Sequence, residues 1–159
     1  MKDIHLAYLA GIVDGEGSIE LKWQKNKMSM DLPLHVFNSD RPLFDWIEGH
    51  FGGKTYEIHR RVRLLKPQWA QVFNWNLRGQ NARDLLEQLV PHMVVKKAQA
   101  ELAIDFWQHR KPMPYGRGIP GQPGIRGRMR PSDETIALRA SYKERMHQLN
   151  LKNRPGPPD

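Results

Sequence analysis

Large apolar residues open the chain at mixed helical spacing: Ile4, Leu6, Leu9, Ile12 and Val13, with Asp3 placed to cap the start. Ala7, Ala10 and Gly11 leave part of this helix nearly bare, so a second helix can approach it backbone to backbone. Gly15 is expected to end the helix, because glycine accepts the left-handed conformation that helix termini often need. Glu16, bracketed by Gly15 and Gly17, is then held just past the end of a packed helix. The period changes at once. Ile19, Leu21 and Trp23 alternate with Glu20, Lys22 and Gln24, and Lys25-Asn26-Lys27 makes a polar turn. Met28, Met30, Leu32, Leu34 and Val36 then alternate with Ser29, Asp31, Pro33 and His35. This is a hairpin with one apolar and one polar face, the pattern of an antiparallel sheet packed on helices. Pro33 marks an edge or a bulge.

The second half of the core repeats the order. Asp40 and Pro42 suit a helix start, Leu43, Phe44, Ile47 and Phe51 form its stripe, and Gly52-Gly53 stops it. Thr55–Leu65 is predicted as a strand, with Tyr56 and Ile58 on one parity and Glu57, His59, Arg61 and Arg63 on the other. Trp69–Arg78 is predicted as the next, with Trp69, Phe73, Trp75 and Leu77 facing inward and Asn74, Asn76 and Arg78 outward. Gly79 breaks that strand, and Ala82, Leu85, Leu86 and Leu89 give another helical stripe. Met93–Arg110 is predicted as a longer helix, its buried side marked by Val94, Val95, Ala98, Leu102 and Phe106. Ser132 caps a last helix running to about Leu149, with Ile136, Arg139, Met146 and Leu149 broadly on one side.

Between these helices, residues 111–131 change character. The segment is rich in Gly and Pro and carries Arg117, Arg126, Arg128 and Arg130 without an acid. It is expected to be a long loop, either an arm that settles on phosphates or a plain connector. Residues 1–150 are expected to form one domain, and 151–159 a short polar tail.

Composition narrows the partner. The 25 Lys and Arg against 17 Asp and Glu give a net charge of +8, which suits a polyanion, most often nucleic acid. The absence of cysteine excludes disulfides and thiolate zinc sites, and the histidines show no metal-ligand spacing. No apolar run approaches a membrane span, and the start of the chain lacks a signal-peptide pattern. The expectation is a cytoplasmic protein, of bacterial, phage or organellar origin, with no membrane partner.

Leu9-Ala10-Gly11-Ile12-Val13-Asp14-Gly15-Glu16-Gly17 resembles the signature of the LAGLIDADG homing endonucleases. Leu9, Ala10 and Gly11 match its opening, Ile12, Val13 and Asp14 its middle, and Glu16 stands where the family keeps its catalytic acid, usually Asp. The alternative for Glu16 is a solvated carboxylate after a helix end. The predicted order α-β-β-α-β-β-α matches the family's α+β core: a four-stranded antiparallel saddle-shaped sheet under helices, here with C-terminal helices added. Lys96-Lys97-Ala98-Gln99-Ala100 resembles the family segment that delivers a lysine to the active site. Register selects Lys96, with Lys97 as the rival.

The resemblance implies a site-specific, Mg²⁺-dependent DNA endonuclease that hydrolyses phosphodiester bonds in both strands of a long, roughly palindromic duplex. The alternatives are an intron RNA maturase and a non-catalytic DNA-binding regulator of the same fold. One motif per chain implies a homodimer, with Ala7, Ala10, Gly11 and Asp14 at the two-fold seam. Glu16 and the Gly15 carbonyl would bind Mg²⁺, or Mn²⁺, or Ca²⁺ in a complex that does not cleave. Lys96 would stabilise charge at the phosphate. Asn38, near the end of the second strand, either positions waters there, which requires a bulge, or caps the next helix. The polar sheet face is either wet or lies in a major groove. In the second case the candidate DNA contacts are Glu20, Lys22, Gln24, Lys25, Lys27, Ser29, Asp31 and His35 from the hairpin, Glu57, His59, Arg61 and Arg63 from the third strand, Asn74, Asn76 and Arg78 from the fourth, and Arg117, Arg126, Arg128 and Arg130 from the loop.

Overall fold

Helix α1 (Asp3–Glu16) buries Leu6, Leu9, Ala10 and Val13, while Ile4 and Tyr8 on its other side stay exposed. Gly15 does not end it. The helix continues to Glu16, with Gly15 exposed inside its last turn. What the turn requires is Gly17. A Cβ there would lie 2.6 Å from the Val13 carbonyl oxygen and 2.8 Å from Val13 Cα, so only a bare backbone can fold back past the helix. The computed structural model describes residues 3–24, 29–58, 71–110, 115–116, 127–128 and 131–152.

The predicted hairpin is one antiparallel unit divided into four short strands: β1 (Gly17–Ile19), β2 (Lys22–Trp23), β3 (Met30–Asp31) and β4 (Pro33–Asn38). A single register runs through it, with Ser18 opposite His35, Ile19 opposite Leu34 and Lys22 opposite Asp31. The ladder breaks at Leu32 and Pro33 for a local reason. Pro33 has no N–H to donate. The Leu32 N–H goes to Asp31 Oδ1 at 2.9 Å, and its carbonyl accepts the Gly79 N–H at 3.0 Å. The side-chain alternation survives the break. Ile19, Leu21, Met30, Leu32, Leu34 and Val36 are all buried.

Helix α2 (Arg41–Phe51) buries Phe44 and Ile47 and ends at Gly52 and Gly53, whose φ values of 69° and 87° are open to glycine. Asp40 occupies its N-cap position without a side-chain cap bond. Strands β5 (Lys54–Ile58) and β6 (Val72–Arg78) complete a four-stranded antiparallel sheet in the order β1-β4-β6-β5. Phe73, Trp75 and Leu77 take the helix side, as their parity predicts, and Trp75 Nε1 donates to the Gly52 carbonyl at 2.8 Å. The predicted strand positions from His59 to Ala70 lie outside the described residues.

Helix α3 (Gly79–Leu89) starts at a glycine of φ 63° and buries Ala82, Leu85, Leu86 and Leu89. A 3-10 turn, Val90–His92, leads to α4 (Lys97–His109). This helix begins later than its apolar pattern suggests. Val94 and Val95 are exposed, at 84% and 55%, and Ala98 is exposed too, whereas Gln99, Ala100, Leu102, Ala103, Phe106 and Trp107 are buried. Tyr115–Gly116 (β7) pairs with Gly127–Arg128 (β8), so the segment predicted as loop contains a short ribbon. Helix α5 (Asp133–Lys152) starts at Ser132, whose Oγ accepts the Thr135 N–H at 3.2 Å. It buries Thr135, Arg139, Tyr142 and Met146, and the Tyr142 hydroxyl donates to Asp105 Oδ2 on α4 at 2.7 Å. No helix among the described residues is long and apolar enough to cross a membrane.

Candidate catalytic centre and nucleic-acid face

The end of α1 and the start of α4 are joined through two side chains. The Asp14 carboxylate accepts the backbone N–H groups of Val94 and Val95 on Oδ2, at 2.7 and 3.1 Å, and of Lys96 on Oδ1, at 2.9 Å. Three amides converging on one carboxylate explain why residues 94–96 bend away from the helix that their apolar pattern suggests. In return, Lys96 Nζ donates to the Val13 carbonyl at 3.1 Å and to the Asp14 carbonyl. The last carbonyls of a helix lack intrahelical donors and carry partial negative charge, so a cation is favoured there. Burial lowers the Lys96 pKa, while the negative charges of Asp14 and Glu16 act the other way.

Glu16 is the last residue of α1, exposed beside this cluster. Glu16 thus adds a carboxylate at the negative end of the helix, where a cation is favoured. With Lys96 on the Val13 and Asp14 carbonyls, the donors beyond them are the Gly15 carbonyl and the Glu16 carboxylate. These are hard oxygen ligands of the type Mg²⁺ takes, but too few to enclose it. Among the described residues no group of three His, Cys, Asp or Glu forms a closed metal site. The Gly15 carbonyl and the Glu16 carboxylate are the two hard oxygen donors left open at this helix end.

The expected seam residues divide. Ala7 and Gly11 are exposed on α1, and nothing lies within 4 Å of a Cβ built at Gly11 or Gly15. Ala10 instead faces the chain's own core and is fully buried, because its helical position groups it with Leu6, Leu9 and Val13. The Asp14 side chain is turned to residues 94–96. The open strip of α1 is thus Ile4, Ala7, Tyr8, Gly11 and Gly15.

Asn38 keeps the parity of Val36, opposite Phe73, without a bulge. Its Oδ1 accepts the Asp40 N–H at 3.0 Å, an Asx turn that leads into α2.

On the sheet face away from the helices, register gathers Ser18, His35, Asn74, Asn76 and Arg78, with Lys22 and Asp31 at the hairpin's outer part. His35 Nδ1 is 3.2 Å from Asn74 Oδ1, and the His35 ring stacks on Phe37. Burial lowers the His35 pKa, with the Asn74 hydrogen bond opposing it. Arg78 Nε donates to Asn76 Oδ1 at 3.1 Å, and its guanidinium lies 3.6 Å from Asp31 Oδ2. Glu20 accepts from the Ser18 hydroxyl at 3.1 Å, Gln24 is exposed, and Ser29 Oγ is buried without a hydrogen-bond partner among the described residues. Glu57 is not on this face. It lies opposite Phe73, while Lys54 and Tyr56 lie opposite Asn76 and Asn74. The contributions of β5 to this face are Tyr56, 54% exposed, which sequence parity assigned to the other side, and Lys54, which precedes the predicted strand. Lys25, Lys27, His59, Arg61, Arg63, Arg117, Arg126 and Arg130 lie outside the described residues, as does the Arg128 side chain.

The same fold occurs in solved nucleases. The chain aligns over 98% of its length with 86% of the homing endonuclease I-CvuI in complex with a DNA target in the presence of Mg, at TM-score 0.64 and 18% identity. It aligns over 99% with 91% of an archaeal intron-encoded homing endonuclease complexed with DNA, at TM-score 0.64 and 13% identity. It also aligns over 97% with 53% of the LAGLIDADG meganuclease I-AabMI bound to uncleaved DNA, at TM-score 0.52 and 20% identity. No protein-family profile and no curated protein sequence matches it.

Proposed function

We propose that this chain, which has the LAGLIDADG homing-endonuclease fold, is a DNA endonuclease that acts as a homodimer on a roughly palindromic duplex. The observation that carries the reading is the convergence of Glu16 and Lys96 at the end of the motif helix, from positions far apart in the chain. A protein that only bound DNA would need no carboxylate at position 16. The solved neighbours were captured on DNA, and the +8 charge of this chain is compatible with the same partner.

The sparse donor set of one chain supports the dimer. One Glu16 and one Gly15 carbonyl leave a divalent cation under-coordinated. The chain spans 53% of the I-AabMI structure, consistent with a second copy supplying what a longer chain holds in itself. The open strip around Ala7, Gly11 and Gly15 lets two α1 helices approach closely, which brings the two Glu16 carboxylates together.

In the reaction, a bound Mg²⁺ would supply Lewis acidity and an oriented water. Glu16 and the Gly15 carbonyl would hold it. Lys96, two of whose donors are spent on the Val13 and Asp14 carbonyls, keeps a third N–H that would stabilise the negative charge growing on the phosphate. Asp14 positions Lys96 by gripping the three amides of its loop. The sheet face carrying His35, Asn74, Asn76 and Arg78 lies in the major groove and reads base edges.

A library of duplexes incubated with the protein and Mg²⁺ should yield a unique double-strand cut. Glu16→Gln should retain binding and lose cleavage. No cleavage by wild type with any divalent cation rejects the enzyme, and cleavage by that variant at the wild-type rate rejects Glu16 as its catalytic acid. Rescue of intron splicing by a wild type that does not cleave would favour the maturase.

A further inference from the structure

His35 and Asn74 stand on adjacent central strands but are not direct cross-strand partners. His35 lies opposite Asn76, and Phe37 lies opposite Asn74, so the 3.2 Å contact between His35 Nδ1 and Asn74 Oδ1 spans the diagonal. The His35 ring also stacks on Phe37, with centroids 5.8 Å apart and planes at 28°. With the Asn74 oxygen turned to the ring, the tautomer that makes this hydrogen bond carries its proton on Nδ1 and leaves a lone pair on Nε2. The contact also changes what Asn74 offers. A lone asparagine reads adenine by using its oxygen and its nitrogen together. Here the oxygen is engaged by His35, and Asn74 presents its Nδ2 donor.

We propose that His35 and Asn74 read one base of each half-site as a unit, the histidine Nε2 accepting and the asparagine Nδ2 donating, which matches the N6 donor and N7 acceptor of adenine and changes to a guanine-matching pair of donors when the imidazole is protonated. This rests on the proposed DNA-binding function and adds the identity of a base and its dependence on pH. Guanine shows two acceptors, N7 and O6, in the major groove, so two donors suit it and one donor beside one acceptor does not. The groups around the ring set when the change occurs. Burial, Arg78 and Lys22 disfavour the imidazolium, whereas the Asn74 oxygen and Glu20 favour it. From β5, Lys54 and Tyr56 share the same sheet face. The neutral reader therefore prevails at and above neutral pH, and the charged one requires acid.

Two measurements on the full chain test this. ¹⁵N NMR of the free protein near pH 8 should find His35 protonated on Nδ1 and bare on Nε2. A proton on Nε2 overturns the proposal without reference to DNA. Selection from randomised duplexes in Ca²⁺ should give, at about pH 8, one position per half-site where adenine exceeds guanine by about tenfold. At about pH 5 guanine should gain at that position alone. His35→Gln, which offers a donor and an acceptor at every pH, should keep the adenine preference and lose its pH dependence. His35→Phe should erase the preference there and leave other positions unchanged. Duplexes retained with sequence preferences that neither pH nor His35→Phe moves would reject this reader while sparing the DNA-binding function. A wild type that retains no duplex rejects both.

Discussion

Asp14 and Lys96 hold each other's backbone: the Asp14 carboxylate takes three amides from Val94 to Lys96, and the Lys96 ammonium takes the carbonyls of Val13 and Asp14. The end of the motif helix and the lysine beside it are one mechanical unit. Asp14→Ala should release the loop, destabilise the fold by about 1–3 kcal/mol in urea unfolding, and reduce cleavage along with stability. Asp14→Asn keeps shape but loses charge and one acceptor, and should fall between. Cleavage by Asp14→Ala at the wild-type rate would break the link between this grip and the proposed chemistry.

Lys96→Met should separate chemistry from folding. The side chain is half-buried and packs on helix carbonyls, so methionine retains much of the contact area. Single-turnover cleavage should fall by about 10²–10³, with duplex affinity in Ca²⁺ changed far less. The same substitution at Lys97, which is exposed at the first position of α4, should leave cleavage near wild type.

Gly11→Ala should act in opposite directions on the single chain and on the pair. Open space surrounds the added methyl in one chain, and alanine favours a helix interior over glycine by about 0.5–1 kcal/mol. Urea unfolding at low concentration should therefore show a gain. Sedimentation should show weaker self-association, and Gly11→Leu should abolish it. A Gly11→Leu protein that still pairs would move the interface away from this strip.

Gly17→Ala should damage the fold itself. The new methyl meets the backbone of Val13 at 2.6 and 2.8 Å, and no side-chain rotation relieves it. A loss of about 1–3 kcal/mol is expected from thermal or urea unfolding.

Stability should also depend on acid through His35. Its folded pKa lies below the ordinary 6.5, so between the two values the unfolded chain binds more protons than the folded one. The contribution is complete above pH 6.5 and is lost as pH falls through the folded pKa. Urea midpoints of wild type should drop across that acid window more steeply than those of His35→Phe.

Much of this molecule was determined locally. The switch from helical to alternating period, and the glycines at 52, 53 and 79, dictated the order of the core elements, because periodicity is a property of neighbours along the chain. Strict alternation likewise sorted Asn74, Asn76 and Arg78 from Phe73, Trp75 and Leu77. Where pattern was ambiguous, long-range contacts decided. Ala10 went to the core rather than to the open strip, since an alanine on a helix edge reveals nothing about what the fold puts beside it. Glu57 and Tyr56 exchanged faces through pairing with β6. Val94 and Val95 were drawn out of α4 by a carboxylate some eighty positions earlier, Asp14, and no window along the sequence contains both partners. The motif pointed to Glu16, and the segment from Lys96 to Ala100 pointed to Lys96 with Lys97 as its rival. Their meeting at one helix end, and the tie between His35 and Asn74, exist only once the chain has closed on itself, because each depends on hydrogen bonds between segments that nothing but the fold brings together.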